Sequence, residues 1–238
     1  MGVLLDISNL SLAFGGVKAL TDVNWRIEEG AVAALIGPNG AGKTTLFNCV
    51  TGFLRPLPGS RVLYDGRDMT GWATHRLAEA GLVRTFQHPK SFTGMSVREN
   101  ILAAARIAGD PSRTEAVLSA TDLGEFAERR ASECPYGVVR RLNIAMVIAL
   151  RPRLVMLDEP AAGLNDVERQ VLARNIQKLR SEGCTVVLVE HDMNFVMSLA
   201  DDVTVLDAGK VLVHGSPEDV TSNPEVIRVY LGQYDAAS

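Results

Sequence analysis

The sequence predicts an α/β fold built around a mainly parallel β-sheet. Apolar, strand-like runs alternate with segments of helical spacing through most of the chain. One of these runs leads directly into a glycine-rich loop and then into a helical segment. Strands that alternate with helices of this length imply βαβ crossovers, which form a parallel sheet. With 238 residues, of which 47% are hydrophobic, the chain can bury a full core as a single domain, residues 1–238.

The N-terminal part predicts an antiparallel β portion followed by the first buried strand. Residues 4–14 alternate loosely between apolar and polar, Gly15-Gly16 marks a turn, and residues 23–27 form a second strand pattern. Residues 31–36 are continuously apolar, as in a strand buried on both faces. We expect a helix over residues 42–50 to follow. Short strands over 61–64 and 82–86 flank a predicted helix over 74–80.

The middle of the chain predicts an inserted helical lobe at about residues 90–150. Residues 97–123 have helical spacing, broken at Gly109-Asp110-Pro111, and show no strand pattern. A helix over 137–150 completes the lobe. Beyond it, buried strands over 154–157 and 185–189 enclose a helix over 167–180. Short strands over 203–206 and 211–213 border Gly209 as a hairpin would, and small helices follow from residue 217.

The charge composition argues against nucleic-acid binding as the main function. The 24 basic and 28 acidic residues give a net charge of -4, whereas a surface for a phosphate backbone needs an excess of basic side chains. We interpret the basic pairs Arg129-Arg130 and Arg140-Arg141 as solvated helix faces. We therefore expect no nucleic acid among the partners.

The cysteines and the apolar runs indicate a cytoplasmic protein. The three cysteines lie far apart, form no C-x-x-C pair and are odd in number, so a reducing compartment is the simpler interpretation. The first residues show no signal-peptide pattern. The longest apolar runs, such as residues 31–36 and 144–150, are far below the roughly 18 to 20 residues that a membrane-spanning helix needs.

The strongest functional pattern is a phosphate-binding loop. Residues 37–44 match G-x-x-x-x-G-K-[ST] between a predicted buried strand and a predicted helix. Glycines let backbone N–H groups turn towards phosphate oxygens, and the helix directs its positive dipole end at the same anion. We expect Lys43 to contact the β- and γ-phosphates and the Thr44 hydroxyl to bind Mg²⁺; a glycine-rich turn before a core helix is the alternative. The predicted nucleotide-binding residues of this loop are Gly37, Pro38, Asn39, Gly40, Ala41, Gly42, Lys43, Thr44 and Thr45.

Two adjacent carboxylates end the strand predicted over 154–157. Asp158 and Glu159 should point to different sides, because neighbouring residues of a strand alternate. With this arrangement, Asp158 can support Mg²⁺ while Glu159 faces the attacking water and polarises it. Taken alone, such a pair is also typical of a solvated strand end. The phosphate-binding loop upstream favours the functional interpretation.

His191 and Gln87 are further candidates. His191 follows the next buried strand, so it should face the same crevice and donate a hydrogen bond to the γ-phosphate. Gln87 follows the strand predicted over 82–86, where a carboxamide can sense Mg²⁺ or position water. By themselves, an exposed strand-end histidine and a solvated loop glutamine would be ordinary. The other histidines show no metal-binding spacing, and we interpret them as surface residues: His75, His88 and His214.

These elements, in this order, resemble the nucleotide-binding domain of ABC proteins over nearly the whole chain. The resemblance implies that the protein binds ATP and Mg²⁺ and hydrolyses ATP. It also implies that Phe14 stacks on adenine, with a packed core aromatic as the alternative. The catalytic residues that it implies are Lys43, Gln87, Glu159 as general base, and His191 as switch histidine. The metal site that it implies is formed by Thr44, Gln87 and Asp158.

Finer phrases resemble the ATP-binding subunits of branched-chain amino acid uptake systems. They lie at residues 83–88, 158–165, 190–193 and 226–232. Similar phrases occur in relatives that move urea, amides or lipopolysaccharide, so these substrates stay open. The resemblance implies a peripheral subunit on the inner face of the cell membrane. Its implied partners are transmembrane permease subunits and a substrate-binding protein of the same system.

The segment aligned with the family's signature departs from the usual pattern. The family has Leu-Ser-Gly-Gly-Gln where this chain has Cys134-Pro135-Tyr136-Gly137-Val138. Pro135 offers neither a hydroxyl nor a backbone N–H to ATP held by an opposite subunit. The resemblance therefore favours a heterodimer with a second ABC ATPase subunit, and a homodimer stays possible.

Two other functions stay open beside transport-coupled hydrolysis. The altered signature is compatible with a regulatory module that binds ATP and barely hydrolyses it. An ABC ATPase that acts on nucleic acid or ribosomes usually carries two such domains or a long heptad insertion, and neither is seen in this sequence.

Overall fold

The computed structural model describes residues 2–85 and 91–235, with side chains described as far as residue 230. Two β-sheets and a set of helices form the fold. The strands are β1 (Val3–Phe14), β2 (Val17–Glu28), β3 (Val32–Ile36), β4 (Arg61–Tyr64), β5 (Arg67–Asp68), β6 (Leu82–Arg84), β7 (Leu154–Asp158), β8 (Thr185–Val189), β9 (Asp202–Asp207) and β10 (Lys210–Gly215). The α-helices are α1 (Lys43–Val50), α2 (Thr74–Glu79), α3 (Val97–Ile107), α4 (Thr114–Ala120), α5 (Tyr136–Leu150), α6 (Asp166–Ser181), α7 (Met193–Met197), α8 (Pro217–Ser222) and α9 (Pro224–Asp235).

The smaller sheet is the antiparallel β portion that the N-terminal pattern predicts. Its strand order is β2-β1-β4-β5, and β1 pairs antiparallel with both β2 and β4. The β1–β2 hairpin closes at Gly15-Gly16, with Phe14 opposite Val17. The two-residue strand β5 is too short to leave a pattern in the sequence, so it was not predicted.

The larger sheet is mainly parallel, as predicted, and it positions the candidate site. Its order is β10-β9-β3-β8-β7-β6, and among these pairs β10 runs antiparallel to β9. All five residues of the inner strand β3 are buried, which agrees with their unbroken apolar run. Because β3, β7 and β8 are parallel, their carboxyl ends lie at one edge of the sheet. The loops that follow these three strands therefore meet there.

The helical lobe contains α3, α4 and α5, with short 3₁₀ turns between them. The predicted break in its pattern is real, because α3 ends at Ile107 and a 3₁₀ turn starts at Pro111. A capping box between Ser96 and Glu99 fixes the start of α3. Apolar residues of the lobe belong to the same buried cluster as residues of the large sheet, including Ile101, Leu142, Ile148, Val155 and Val186. Helix α5 is thereby packed beside the loop that follows β7.

The C-terminal part begins with α6, whose N-terminus is capped by Asn165 and Glu168. The strands β9 and β10 form the predicted hairpin around Gly209, and α8 and α9 follow. The short helix α7 was not predicted. Within residues 2–85 and 91–235, no helix has both the length and the apolar character needed to cross a bilayer. The three cysteines are free thiols, of which Cys49 and Cys184 are buried.

Candidate nucleotide-binding and catalytic site

The phosphate-binding loop connects the end of β3 to the start of α1. Gly37 follows the strand with φ of 149°, and a Cβ there would lie 2.0 Å from the carbonyl oxygen of Leu206. A side chain at position 37 would therefore push the loop away from β9. Gly42 caps α1 in the left-handed region, with φ of 105°. The loop can approach the sheet this closely because glycine occupies both positions.

A cavity of about 450 Å³ opens at this edge of the sheet. Seven of the nine predicted loop residues line it, from Asn39 to Thr45, and Glu159 and His191 line its other side. The structure thus brings together the loops after β3, β7 and β8. Sequence reasoning missed the remaining lining residues, which come from β2 and from the β9–β10 turn: Val17, Lys18, Ala19, Ala208 and Gly209.

Lys43 is held inside the loop. Its ammonium donates hydrogen bonds to the carbonyl oxygens of Gly37, at 2.7 Å, and Pro38, at 2.9 Å. Burial lowers the pKa of Lys43, and the nearby carboxylates of Glu159 and Asp158 oppose that shift. The side chain is therefore a desolvated cation placed beside the cavity, where its attraction for an anion is stronger than in water.

Glu159 and His191 contact one another across the ends of β7 and β8. Nε2 of His191 lies 2.8 Å from Oε1 of Glu159. The backbone N–H of Glu159 donates to the carbonyl of Val189, so the peptide and the side chain are tied to the same neighbouring strand. Glu159 has φ of 46°, in the left-handed region that non-glycine residues seldom adopt. This conformation costs on the order of 1 kcal/mol and must be stabilised by surrounding contacts.

Glu190 directly precedes His191 and is buried, with 3% of its surface exposed. Its carboxylate accepts hydrogen bonds from the backbone N–H of Ala161, at 2.6 Å, and of His191, at 3.2 Å. Burial raises the pKa of Glu190, and the two N–H donors oppose the shift. The side chain joins the end of β8 to the loop after β7. Sequence reasoning assigned no role to it, because a glutamate next to the histidine reads as another solvated strand end.

The carboxylate of Asp158 has a different partner from that of Glu159. Its Oδ2 accepts a hydrogen bond from the guanidinium of Arg84, at 2.6 Å, and both side chains are less than 10% exposed. Arg84 also donates to the side chains of Asn48 on α1 and of Thr51, the residue that caps the end of α1. Strand β6 is thereby linked to β7 and to the helix after the phosphate-binding loop. The role of Arg84 was not predicted, although it lies in one of the phrases that carry the family resemblance.

The residues present fit a magnesium ion held jointly with a nucleotide. Among the described residues, no group of three His, Cys, Asp or Glu side chains could hold a metal alone. Mg²⁺ in phosphate-loop sites takes a loop hydroxyl, phosphate oxygens and water, with one nearby carboxylate, so a protein cage is not expected. Thr44 is exposed to the cavity, whereas Asp158 is not among the residues that line it and is paired with Arg84. Asp158 nevertheless lies close enough to Lys43 to affect the pKa of that lysine.

The remaining predicted residues differ in how the structure places them. Phe14 is 51% exposed at the end of β1, so it is not the core aromatic that was the alternative. Its cross-strand neighbour Val17 lines the cavity, although Phe14 itself is not among the lining residues. Gln87 and His88 lie outside the described residues. His75 is exposed, and the ring of His214 lies half-exposed beside Thr204.

Arg140 is buried, with only 8% of its surface exposed. It donates hydrogen bonds to the backbone carbonyl of Glu159, at 3.0 Å, and to the Tyr136 hydroxyl, at 2.8 Å. The interpretation of Arg140-Arg141 as a solvated helix face is therefore wrong for Arg140. The reason is that α5 packs against the loop after β7, and only the structure shows which side of the helix faces that loop.

The segment aligned with the signature forms the start of α5. Pro135 is the N-cap residue and provides no side-chain cap. The carboxylate of Glu168 lies against Gly137, since a Cβ there would come within 2.0 Å of Glu168 Oε1. Val138 is buried in the core of the lobe. The start of α5 and the start of α6 are thus packed together.

Comparisons with known proteins agree with this geometry. A family model described as ABC transporter matches residues 20–162, and one described as branched-chain amino acid ATP-binding cassette transporter matches residues 210–236. The high-affinity branched-chain amino acid transport ATP-binding protein BraF of Pseudomonas aeruginosa is 44% identical, over 97% of this chain and 98% of its own. LivG of Escherichia coli, with the same description, is 41% identical over the same shares. The lipopolysaccharide export system ATP-binding protein LptB of Acidithiobacillus ferridurans is 33% identical, over 98% of each chain.

Solved structures of ATP-binding cassettes are also similar to this chain. The crystal structure of the ADP conformation of an ATP-binding cassette of an ABC transporter has a TM-score of 0.86 and 28% identity, and covers 98% of this chain and 100% of that one. A nucleotide-free ATP-binding cassette has a TM-score of 0.85 and 28% identity, over 96% of this chain and 99% of its own. The predicted α/β fold is confirmed. The chain therefore belongs to the ABC transporter family, as an ATP-binding subunit.

Proposed function

We propose that the chain hydrolyses ATP, with Glu159 as the base that activates water. The observation that carries this proposal is the contact between Glu159 and His191 at the cavity formed with the phosphate-binding loop. A carboxylate and an imidazole within hydrogen-bond distance, facing the position of the γ-phosphate, can orient a water and stabilise developing charge. Lys43 binds the β- and γ-phosphates through its desolvated ammonium.

The metal and base sites have separate residues in this proposal. Thr44 would supply a hydroxyl to Mg²⁺ and Asp158 would support the ion from the end of β7, while Arg84 fixes the orientation of Asp158. The bound ion would neutralise charge on the phosphate oxygens. Gln87 is the further metal and water-positioning residue that the family resemblance suggests. Phe14 pairs with Val17, which lines the cavity, and its exposed ring is the proposed stacking surface for adenine.

We further propose that this ATPase supports uptake of branched-chain or other amino acids. The support comes from the similarity to BraF and LivG, which are branched-chain amino acid transport ATP-binding proteins, and from the match of residues 210–236 to the family model of branched-chain amino acid ATP-binding cassette transporters. The lower identity to LptB makes lipopolysaccharide transport the second candidate. In the proposed system the chain lies on the inner face of the membrane, bound to permease subunits and accompanied by a substrate-binding protein.

We propose a second ABC ATPase subunit as the dimer partner. Pro135, the N-cap residue of α5, has neither a hydroxyl nor a backbone N–H, so the anion site at this helix start has fewer donors than the usual signature provides. A partner with a complete signature would complete the ATP site of this chain. A homodimer is the alternative and would contain two sites with the altered signature.

The test of hydrolysis compares Glu159→Gln with Glu79→Gln, an exposed position on α2 that undergoes the same change of charge. ATP binding and phosphate release are measured on purified protein, with and without the membrane proteins that co-purify with it. We expect Glu159→Gln to bind ATP and lose turnover, and Glu79→Gln to behave as the wild type. If the wild type binds ATP but shows no turnover in either condition, the protein is a regulatory module. If the co-purifying chains include no permease, the transport proposal is wrong.

A further inference from the structure

We infer that Arg140 is a positioning residue for Glu159, which it holds through the backbone and links to the signature segment. Arg140 does not touch the nucleotide cavity, and its action is indirect. The inference rests on the proposed role of Glu159 as base. Glu159→Gln is therefore measured in parallel, so that a failure of either idea can be recognised.

The contacts of Arg140 place it between two functional segments. One end of its guanidinium donates to the Glu159 carbonyl, at 3.0 Å, and Nε donates to the Tyr136 hydroxyl, at 2.8 Å. The guanidinium also lies over the Tyr136 ring, 5.2 Å from its centre. A rigid, planar group with several donors can hold both partners at once, which a lysine ammonium on a flexible chain does less well.

Glu159 needs such support because of its backbone conformation. A left-handed φ of 46° in a non-glycine residue persists only where neighbouring groups fix it. Both flanking peptide groups are fixed here. The N–H of Glu159 donates to Val189, and its carbonyl accepts from Arg140 and from the N–H of Ala162, at 3.2 Å. With the backbone of Glu159 held in this way, its Oε1 lies 2.8 Å from Nε2 of His191.

Tyr136 extends this connection to the surface. It is the first residue of α5 and is 51% exposed. Its ring also packs against Gly163 in the loop between β7 and α6. A Cβ on Gly163 would lie 3.6 Å from Cε1 of the Tyr136 ring. Any displacement of the first turn of α5 is therefore passed through Arg140 to the carbonyl of the catalytic base. The geometry of the base depends on how the signature segment is held.

The test replaces Arg140 with residues of similar length. Arg140→Met removes both hydrogen bonds, and Arg140→Lys keeps a cation that can reach one partner. Arg141→Met is the matched control, because Arg141 is adjacent on α5 and donates to the carbonyl of Asp122 in the lobe. Tyr136→Phe removes only the hydroxyl. Each variant is purified with the membrane proteins that co-purify with it. ATP affinity is then measured by fluorescence of a labelled ATP analogue, and kcat and KM are measured by phosphate release.

We expect Arg140→Met to lower kcat by about tenfold or more, because a base displaced by about 1 Å can lose up to roughly 100-fold in rate. ATP affinity should stay within about twofold of the wild type, since the phosphate-binding loop is untouched. Arg140→Lys should recover part of the loss, Tyr136→Phe should cause a smaller one, and Arg141→Met should leave kcat unchanged.

Three outcomes would overturn the inference. One is an Arg140→Met variant with unchanged kcat while Glu159→Gln is inactive. Another is an equal loss of kcat and ATP affinity in Arg140→Met, which a general loss of structure would produce. The third applies if Arg140→Met does not fold. In that case, full activity in both Tyr136→Phe and Arg140→Lys refutes the link between Arg140 and Glu159. Retained turnover in Glu159→Gln would instead refute the proposed base.

Discussion

Arg84 and Asp158 form an ion pair of 2.6 Å in which both side chains are almost fully buried. The carboxylate proposed to support Mg²⁺ is therefore also the partner of an arginine on the neighbouring strand β6. This contact connects the strand before the Gln87 segment to the end of β7 and, through Asn48 and Thr51, to α1. Removing one member of such a pair leaves the other charge buried without its counter-ion.

Arg84→Met should therefore destabilise the fold by about 3 kcal/mol or more. The matched control is Arg153→Met, because Arg153 forms ion pairs with Asp65 and Glu29 while 46% exposed. Exposed ion pairs contribute at most about 1 kcal/mol each, so the free energy of unfolding of this control should be close to that of the wild type. Urea unfolding followed by circular dichroism measures both. Equal stability of the two variants would show that the buried pair contributes little.

The buried carboxyl of Glu190 should make stability depend on pH in a defined direction. Burial raises its pKa in the folded protein above the ordinary value of 4.5, so the folded state binds the proton more tightly than the unfolded state. The stability that this tighter proton binding contributes is fully present below the pKa of Glu190 in the unfolded state. It is lost as pH rises through the pKa in the folded state. We expect the free energy of unfolding of the wild type, relative to Glu190→Gln, to increase on acidification through this window.

That comparison uses urea titrations at several pH values from neutral down to about 4.5, near the ordinary glutamate pKa. Glu125→Gln provides the control, since Glu125 is exposed. A difference between wild type and Glu190→Gln that stays constant over this range would contradict the prediction.

Lys43→Ala should abolish ATP binding or weaken it strongly. The ammonium is already desolvated and directed into the loop, so its loss removes a charge from a place where it attracts phosphate strongly. Binding of labelled ATP measures the effect, and Lys210→Ala, at an exposed position of β10, is the control. If Lys43→Ala binds ATP with nearly normal affinity, the nucleotide does not contact this loop as proposed.

Pro135→Ser tests whether the altered signature limits the isolated protein. A hydroxyl and a backbone N–H would be restored at the start of α5, and each hydrogen bond to a charged group is worth about 1.5 to 3 kcal/mol. We expect the ATPase activity of the isolated chain to rise by tenfold or more. Val138 is left unchanged, because it is buried and a glutamine there would place an amide in the core.

Pro58→Ser, at an exposed position, is the control for that experiment. High activity of the unmodified chain, together with no effect of Pro135→Ser, would remove the argument for a heterodimer.

The sequence predicted the parts of the fold whose patterns are local. Composition and spacing predict the apolar strand β3, the largely apolar strand β8 and the loop motif between β3 and α1. The meeting of the three loops followed from the parallel order of their strands. Arg84 and Arg140 could not be predicted in this way, because their partners lie 74 and 19 residues away and depend on how separate elements pack. The sequence pattern of a strand or a helix does not show which neighbouring element a charged side chain faces.

The packing of Glu168 against Gly137 has a consequence for how this protein can change in evolution. The same carboxylate accepts the N–H of Asn165 at the start of α6, so a side chain at position 137 would displace it and remove that cap. Because this carboxylate ends a flexible side chain, it can rotate away, and position 137 can accept a larger residue at the cost of the cap. A substitution at position 137 should therefore loosen the first turn of α6, and its effect should be smaller where residue 168 does not provide this cap.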